Sequence, residues 1–502
     1  MIVFPRKHTA LLCCFAVFGW TQVSHGQVML SPTVEKSEAV AEPEPRSPPL
    51  LLHARPQSDP PLRYRLWPAP ERHRPRNAMV AVNRSMLLVA QVSAKQKRDF
   101  LDRYDAWTEI PIDELPVEDA KASYAPFGTA IDVLRTGENW MDLKYDLGLE
   151  DMTFAEKLAT LLPELQESRD LARLLCMRAR VAAAENRWDD AVDDLRLGFR
   201  LSEITAHSTN TLLSRLIGIA ISESLLDTIE SMIQQPNCPN LYWALAGLPV
   251  DPLFAMRAAI EYESTTAYHA GSLVGLNELP DEIIGEAKAL IRLKEMSDAI
   301  ATMFDSVDTT AETTFLHQLS TGVLITMMVQ PSRQLLLENE DWDERVDELS
   351  DAEAVLRASD FELTRIRERW LAWSLLPDEL WADNKARREA AMRVSPDTVT
   401  LGGQLARIML PSFPSATSRG LDVKQKHHQL LTLEALRMHA AETGALPDAI
   451  DKLTPVPAWL DPISRKPFVY LRKTPTEATL SRAAGSSNQT NPTLTIQLQV
   501  TK

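Results

Sequence analysis

Glycine and cysteine are both scarce in this chain of 502 residues, and each shortage excludes a class of protein. With only 17 glycines, the chain lacks the glycine patterns that bind nucleotide phosphates or present a nucleophilic serine. Cys13 and Cys14 lie in a predicted leader, which leaves Cys176 and Cys238. This number is too small for a disulfide-stabilised scaffold, and we expect both remaining thiols to be free. Low glycine content favours a helical fold over a turn-rich all-β fold.

The sequence patterns of metal and acid–base chemistry are missing as well. There is no Cys-x-x-Cys pair and no pair of histidines flanking a Glu-x-x unit. His427 and His428 are adjacent, and neighbours on a helix point about 100° apart, so they would not bind one metal together. His439 and Glu442 share a helix face, where a solvated or capping contact is the commoner role. We therefore assign no catalytic, cofactor-binding or metal-binding residue, and expect no cofactor.

Positive charge is also in deficit, because the formal net charge is −16 at pH 7. A protein that neutralises phosphates needs an excess of lysine and arginine, so nucleic-acid binding is not expected. The apolar content of 45% and the charged content of 24% are ordinary for a globular protein. The length is sufficient for a large core and for two or more structural units.

Residues 1–26 are typical of a secretory signal peptide. A basic start at Arg6 and Lys7 precedes the apolar run Thr9–Trp20, and the small residues Ser24 and Gly26 precede a cleavage site. The run is too short to span a bilayer, so we predict cleavage and no transmembrane span in the mature chain. A retained anchor is the alternative. We therefore expect an exported protein, in the periplasm or cell envelope.

The mature chain divides by composition into three parts. Residues 27–76 are rich in proline, which predicts a disordered linker. Residues 77–419 show helical periodicity and predict a helical body. Residues 420–502 predict a long helix followed by a small module with strands near 468–471, 478–480 and 494–498. The predicted fold class is therefore mainly α, with a helical-hairpin body and a small C-terminal α+β module.

The segment Leu171–Glu203 predicts two amphipathic helices joined by a polar turn at residues 185–187. Ala191 and Gly198 are predicted to lie where these two helices touch. The second helix carries four aspartates that are predicted to face solvent and could bind a basic partner: Asp189, Asp190, Asp193 and Asp194.

The turn and the start of that second helix resemble a tetratricopeptide repeat. The resemblance is carried by residues 186–191, Asn-Arg-Trp-Asp-Asp-Ala, with Ala179, Leu195 and Gly198 at packing positions. Arg178 and Glu203 depart from the motif, which usually has leucine and proline there. The resemblance implies an α-solenoid of stacked hairpins. The alternative is a plain helical hairpin.

The end of the chain is similar to the C-terminal half of the major pseudopilins of type II secretion. The similarity is carried by Leu446-Pro447, Asp461-Pro462 and residues 466–470, Lys-Pro-Phe-Val-Tyr. The chain lacks the prepilin start of that family and the aspartates that bind its calcium ion. We therefore carry over a structural module and no metal site.

Most of the mature chain resembles a family of exported planctomycete helical proteins. Residues 162–165, residues 239–245, the Trp188 hairpin and the 446–470 tail carry the resemblance. It implies bacterial export and helical repeats and implies no particular activity. We predict an exported scaffold or protein- and peptide-interaction protein of the cell envelope, without evident catalytic activity. The alternative is an envelope hydrolase whose site is assembled from residues distant in sequence.

Overall fold

The structure is a computed structural model, and it describes most of the chain beyond residue 47. The described residues are 48–148, 154–209, 211–262, 279–294, 321–339, 342–393, 400–403, 406, 412–482 and 493–499. The predicted signal peptide and the first part of the predicted linker lie outside these residues.

The described chain is mainly helical, as its periodicity predicts. Between its N-terminal strands and its C-terminal module, the helices follow one another in this order: α1 (Met79–Gln91), α2 (Ala94–Thr108), α3 (Val117–Tyr124), α4 (Gly128–Thr136), α5 (Phe154–Ala184), α6 (Trp188–His207), α7 (Leu212–Met232), α8 (Tyr242–Ala246), α9 (Val250–Phe254), α10 (Arg257–Tyr262), α11 (Thr321–Leu336), α12 (Asp351–Ser374), α13 (Asp378–Asp383), α14 (Lys385–Met392) and α15 (Ser412–Thr443). Residues 286–294 are also helical. None of the helices in the described ranges is long and apolar enough to cross a membrane.

Helices α5 and α6 form the predicted hairpin. The turn between them has Asn186 in the left-handed region, at a φ of 59°, where asparagine is one of the few non-glycine residues tolerated. The Arg187 amide closes the turn by donating to the Ala182 carbonyl at 2.8 Å. The prediction of two helices and a tight turn is confirmed, and α6 continues into close packing with α7.

Two glycines allow the close approach of α6 and α7. A Cβ added at Gly218 of α7 would lie 2.8 Å from the Ser202 carbonyl oxygen and 2.6 Å from the Ala206 Cβ, both on α6. A Cβ added at Gly198 would meet the Leu225 side chain of α7. The prediction that Gly198 lies at the contact between α5 and α6 is therefore wrong, because this face of α6 packs against the helix that follows it.

Replacing Gly218 by alanine is expected to lower the free energy of unfolding by about 1–3 kcal/mol, because the new methyl group meets backbone that cannot move aside. Urea unfolding followed by circular dichroism measures the change. Gly128 at the start of α4 is the matched control, since a Cβ there has nothing within 4 Å. Its replacement by alanine should be neutral or mildly stabilising. Equal losses at the two positions would contradict the close packing of α6 and α7.

The six strands of the described residues form two sheets. The strands are β1 (Leu50–His53), β2 (Arg74–Asn77), β3 (Trp140–Asp142), β4 (Val469–Thr474), β5 (Glu477–Ser481) and β6 (Leu494–Gln499). The C-terminal sheet has the order β1-β6-β5-β4, with β1 and β6 parallel and the other two pairs antiparallel. Strands β2 and β3 form a separate parallel pair. The three strands predicted for the C-terminal module are present, and β1 adds a fourth.

The prediction of a disordered linker is wrong for residues 48–76. Leu50 and Leu52 are buried in the core, and β1 pairs with β6 from Leu50 opposite Ile496 to His53 opposite Gln499. The prolines of this segment flank the apolar run and do not interrupt it, so the strand keeps the amides that its ladder needs. A high proline content therefore does not by itself indicate disorder, because residues 48–76 contain a buried strand.

A single large core joins the helical body to the C-terminal sheet. It extends from Leu50 and the α5–α7 helices to Leu498, and α15 packs against α7 and α8. The core is continuous across residues 419 and 420, where the composition suggested a boundary. As a result, both ends of the described chain belong to the same packed structure.

Candidate functional site

The acidic face of α6 was predicted from the sequence as a surface that could bind a basic partner. In the structure, one of its four aspartates does not belong to this surface. Asp194 is buried, with its carboxylate 2.6 Å from Arg135 and 3.0 Å from Arg178. The prediction that Asp194 faces solvent is wrong, because Arg178 supplies a charged partner at a helix position where the repeat motif has leucine. The hairpin therefore contains a buried ionic cluster.

Asp189 and Asp190 are exposed and Asp193 is partly buried, and each of the three is engaged by a cation of the same chain. Asp189 pairs with Arg63, Asp190 with Arg187, and Asp193 with Arg196. A surface whose carboxylates already have partners offers little net attraction to a basic ligand. The α6 face is therefore a weak candidate for a docking site.

Buried arginines bind the backbone carbonyls of connecting segments. Arg180 donates to the carbonyls of Trp107 and Ile110, at 3.1 and 2.5 Å. Arg200 donates to the carbonyl of Trp140 at 2.7 Å and to the carbonyl of Glu138 at 2.9 Å. Burial lowers the pKa of Arg200 to about 10, which still leaves its guanidinium charged at neutral pH. Carbonyls that helix ends and loops leave without backbone partners are satisfied in this way.

Arg437 on α15 is the most extensively bonded of these arginines. Its side chain is fully buried and donates to the carbonyls of His53 (3.0 Å) and Cys238 (2.7 Å) and to the Glu434 carboxylate (2.7 Å). These contacts join β1, the loop after α7 and the last long helix. Nothing in the local sequence marks Arg437 except its place among leucines and alanines on an otherwise apolar helix.

Residues 50–58, which we call the N-terminal strap, bind the loop after α7 through several further contacts. Arg55 donates to the Asn237 side chain at 2.9 Å and also binds the Pro236 carbonyl. The Trp243 indole donates to Gln57 at 2.9 Å. The strap therefore connects the C-terminal sheet to the helical body by side-chain bonds as well as by strand pairing.

The histidine pair of α15 has separate partners, as the divergence of adjacent helix positions predicts. His427 donates from Nε2 to the Leu245 carbonyl at 2.9 Å, and His428 donates from Nδ1 to the Leu460 carbonyl at 2.7 Å. Burial lowers the pKa of His427 to about 4 and so keeps the ring neutral at pH 7. Both rings thus hold neighbouring segments against α15.

His439 and Glu442 meet at one hydroxyl group. The Thr454 side chain lies 3.2 Å from His439 Nδ1 and 3.5 Å from the Glu442 carboxylate. The Thr454 backbone amide also points to His439 Nδ1, at 3.4 Å. These bonds hold the loop that follows the last long helix. Among the residues that the structure describes, no group of three or more His, Cys, Asp or Glu side chains is placed to hold a metal ion.

Cys176 and Cys238 are both buried free thiols. Burial raises the pKa of Cys176 to about 11 and that of Cys238 to about 12, so neither is a thiolate at physiological pH. We expect neither residue to react with a thiol reagent at pH 8 in the folded protein, and both to react in denaturant. Mass spectrometry of the labelled peptides gives the result for each site. Rapid labelling of folded protein would contradict their burial, and their absence from the denatured labelling would indicate a disulfide.

The outer edge of β4 is an exposed surface that the sequence analysis did not single out. Val469 and Leu471 are 39% and 62% exposed, although both are apolar residues in a strand. Lys466 and Lys473 are exposed just before the strand and near its end. An alternating strand with apolar residues on its solvent face was a detectable signal, since Val469 and Leu471 are two positions apart.

Comparisons with known proteins identify no relative of this chain. No family model, no curated protein and no solved structure matches the chain.

Proposed function

We propose that this protein is an exported helical scaffold that binds proteins or peptides at the cell envelope. The observation that carries the proposal is the use of its buried ionisable side chains. Asp194 is held by two arginines, Glu434 by Arg437, and His427 by a backbone carbonyl. Groups engaged in this way stabilise a fixed shape and are not available for proton transfer to a substrate.

The proposed body is a stack of helical hairpins related to tetratricopeptide repeats. The consecutive packing of α5, α6 and α7, and the further packing of α15 on α7, support a layered arrangement. Stacked hairpins present extended surfaces, which is why such bodies commonly bind peptides or other proteins. Export rests on the signal-peptide pattern of residues 1–26.

Among the residues that the structure describes, Thr454, His439 and Glu442 form one group that the alternative function, an envelope hydrolase, could use. This is a hydroxyl group close to a histidine and a carboxylate, the residue types of a nucleophile and its base. In this arrangement Glu442 approaches the hydroxyl group, whereas a catalytic carboxylate orients the histidine. The contacts therefore support a structural role for all three residues.

The proposed function is tested by chemical cross-linking in intact cells, before any lysis, followed by denaturing capture of the full-length chain. We expect cross-linked peptides that join exposed residues of this chain to the same partner protein in independent experiments. An unrelated exported protein of similar abundance is the control for chance proximity. Cross-links confined to the chain itself, together with hydrolysis of an ester or peptide substrate that Thr454→Val abolishes, would support the hydrolase instead.

A further inference from the structure

We propose that the outer edge of β4 binds an extended, acidic peptide segment of a partner protein by adding a strand to the C-terminal sheet. The inference rests on the proposed scaffold function and names the surface and the partner chemistry. It begins from the difference between the two edges of the sheet.

The β1 edge of the sheet is covered by the chain itself. The Leu51 amide is directed to the Gln234 side chain at 3.4 Å, and the Arg55 amide donates to the Arg437 carbonyl at 3.0 Å just beyond the strand. The Arg437 side chain also binds the His53 carbonyl. Two outward-facing backbone groups of β1, the Leu51 amide and the His53 carbonyl, are therefore already bonded, and another strand could not add here without displacing these contacts.

The β4 edge is open over the six residues Val469–Thr474. An isolated bridge joins Leu460 to Pro467 immediately before the strand, and it ends where β4 begins. In the ranges that the structure describes, no other backbone segment pairs with the outer side of β4. An open edge presents unpaired amides and carbonyls, and these can bind an extended peptide through main-chain hydrogen bonds.

The side chains of β4 would add apolar contact to those hydrogen bonds. Val469 and Leu471 lie on the same face of the strand, opposite Ser481 and Thr479 of β5. Their exposure leaves apolar area that an added strand would cover with its own alternate side chains. A partner segment with valine, isoleucine or threonine at alternate positions fits this face.

The charge around β4 specifies an acidic partner. Residues 462–476 contain four basic residues and no aspartate or glutamate, in a chain with a net charge of −16. Arg472 is paired with Asp448. Lys466 and Lys473 have no carboxylate partner in the part of the chain that the structure describes. Carboxylates at both ends of a bound strand would pair with these two lysines.

Lysine on an edge strand also serves in many proteins to prevent unwanted strand pairing. Lysine prevents such pairing when its charge interrupts the apolar part of the edge strand. Lys466 lies before β4 and Lys473 lies near its end, so neither interrupts the exposed apolar side chains of Val469 and Leu471 at its start. This placement is suited to selecting an acidic strand and poorly suited to excluding every strand.

Two other occupants fit the surface less well. A second copy of the chain would bring two basic edges together and would also oppose two molecules of large negative charge. An anionic lipid surface would satisfy the lysines and cover Leu471 but would leave the open amides and carbonyls of the edge without partners. An extended acidic peptide would pair with the lysines, cover the exposed apolar side chains and bond the open amides and carbonyls of the edge.

The experiment measures fluorescence anisotropy of a labelled synthetic peptide as long as β4, with alternating valine and threonine and a glutamate at each end. It uses the full-length mature chain. We expect saturable binding that weakens with salt, and a loss of about tenfold or more when the peptide amides that face β4 are N-methylated. The Lys466→Glu, Lys473→Glu double variant should bind about three- to tenfold more weakly.

The matched control is the Lys95→Glu, Arg98→Glu double variant, which makes the same charge change at exposed positions of α2. It should bind as the unaltered protein does. Equal binding of the N-methylated peptide, or an equal loss in the control variant, would overturn strand addition at β4. Binding to anionic vesicles without binding to the peptide, or self-association in sedimentation, would overturn it in favour of a lipid or a second copy. A partner cross-linked through other surfaces, with no peptide binding, would leave the scaffold proposal standing and refute the edge alone.

Discussion

Replacing Arg437 by methionine is expected to lower the free energy of unfolding by about 3–5 kcal/mol. Methionine fills similar volume, so the loss of stability does not come from a cavity. The Glu434 carboxylate, which is fully buried, would lose its cation, and the carbonyls of His53 and Cys238 would lose their donor. A buried charge without a partner costs more than the pair contributes when intact.

Urea unfolding of the full-length chain, followed by circular dichroism, measures the effect of Arg437→Met. Arg63→Met is the matched control, because Arg63 and Asp189 form an ion pair with side chains 51% and 69% exposed. It should cost less than about 1 kcal/mol. Adding Glu434→Leu to Arg437→Met removes the stranded carboxylate and should restore part of the lost stability. A cost for Arg437→Met as small as that of the control would show that the β1–α15 junction is not formed.

Replacing Asp194 by alanine is the second large effect, with an expected loss of about 2–4 kcal/mol. The substitution leaves Arg135 and Arg178 facing each other across the site of the removed carboxylate. Both arginines are about one-third exposed, so water can reach them and the loss should be smaller than at Arg437. If Asp194 instead faced solvent in an acidic stripe of a helical repeat, its replacement would leave the free energy of unfolding almost unchanged.

Asp193→Ala is the matched control for Asp194→Ala, since the two residues are adjacent on α6 and the Asp193 side chain is 48% exposed. Its single ion pair with Arg196 spans one helical turn, and its removal should cost less than about 0.5 kcal/mol. Thermal and urea unfolding of both variants give the comparison. Similar stabilities for the two variants would mean that the faces of α6 are assigned incorrectly.

The local features of the fold could be predicted from the sequence because they depend on residues close together in the chain. The apolar spacing of Leu171–Glu203 and the polar turn at Asn186 predict α5, α6 and their connection. The period-two pattern of residues 494–498 predicts β6. In both cases the signal is a face that must be buried by a nearby element.

Pairings between distant residues could not be predicted in this way. The parallel pairing of β1 with β6 joins Leu50 to Ile496, and no local pattern encodes the partner of a strand. Helical periodicity places Asp194 on a polar side of α6, but it does not say that Arg135 and Arg178 lie there too. Arg437 looks like an isolated charge on an apolar helix until the backbone carbonyls around it are known.

Part of the candidate site can be predicted from the sequence, and part of it cannot. The exposed apolar residues Val469 and Leu471 and the flanking lysines can be read from the sequence of residues 466–473. The open edge cannot, because it depends on which strand occupies the other edge of the sheet. In this protein that strand comes from the N-terminal strap.

The central claim is that the strap closes one edge of the C-terminal sheet and leaves the β4 edge open. Amide hydrogen exchange of the full-length chain at the residues of β1, β4 and β6 tests it most directly. We expect strong protection of the Leu52 amide, comparable to that of β6, and faster exchange of those β4 amides that point away from β5. Free-peptide exchange rates throughout Leu50–His53, or uniform protection of every β4 amide, would contradict it.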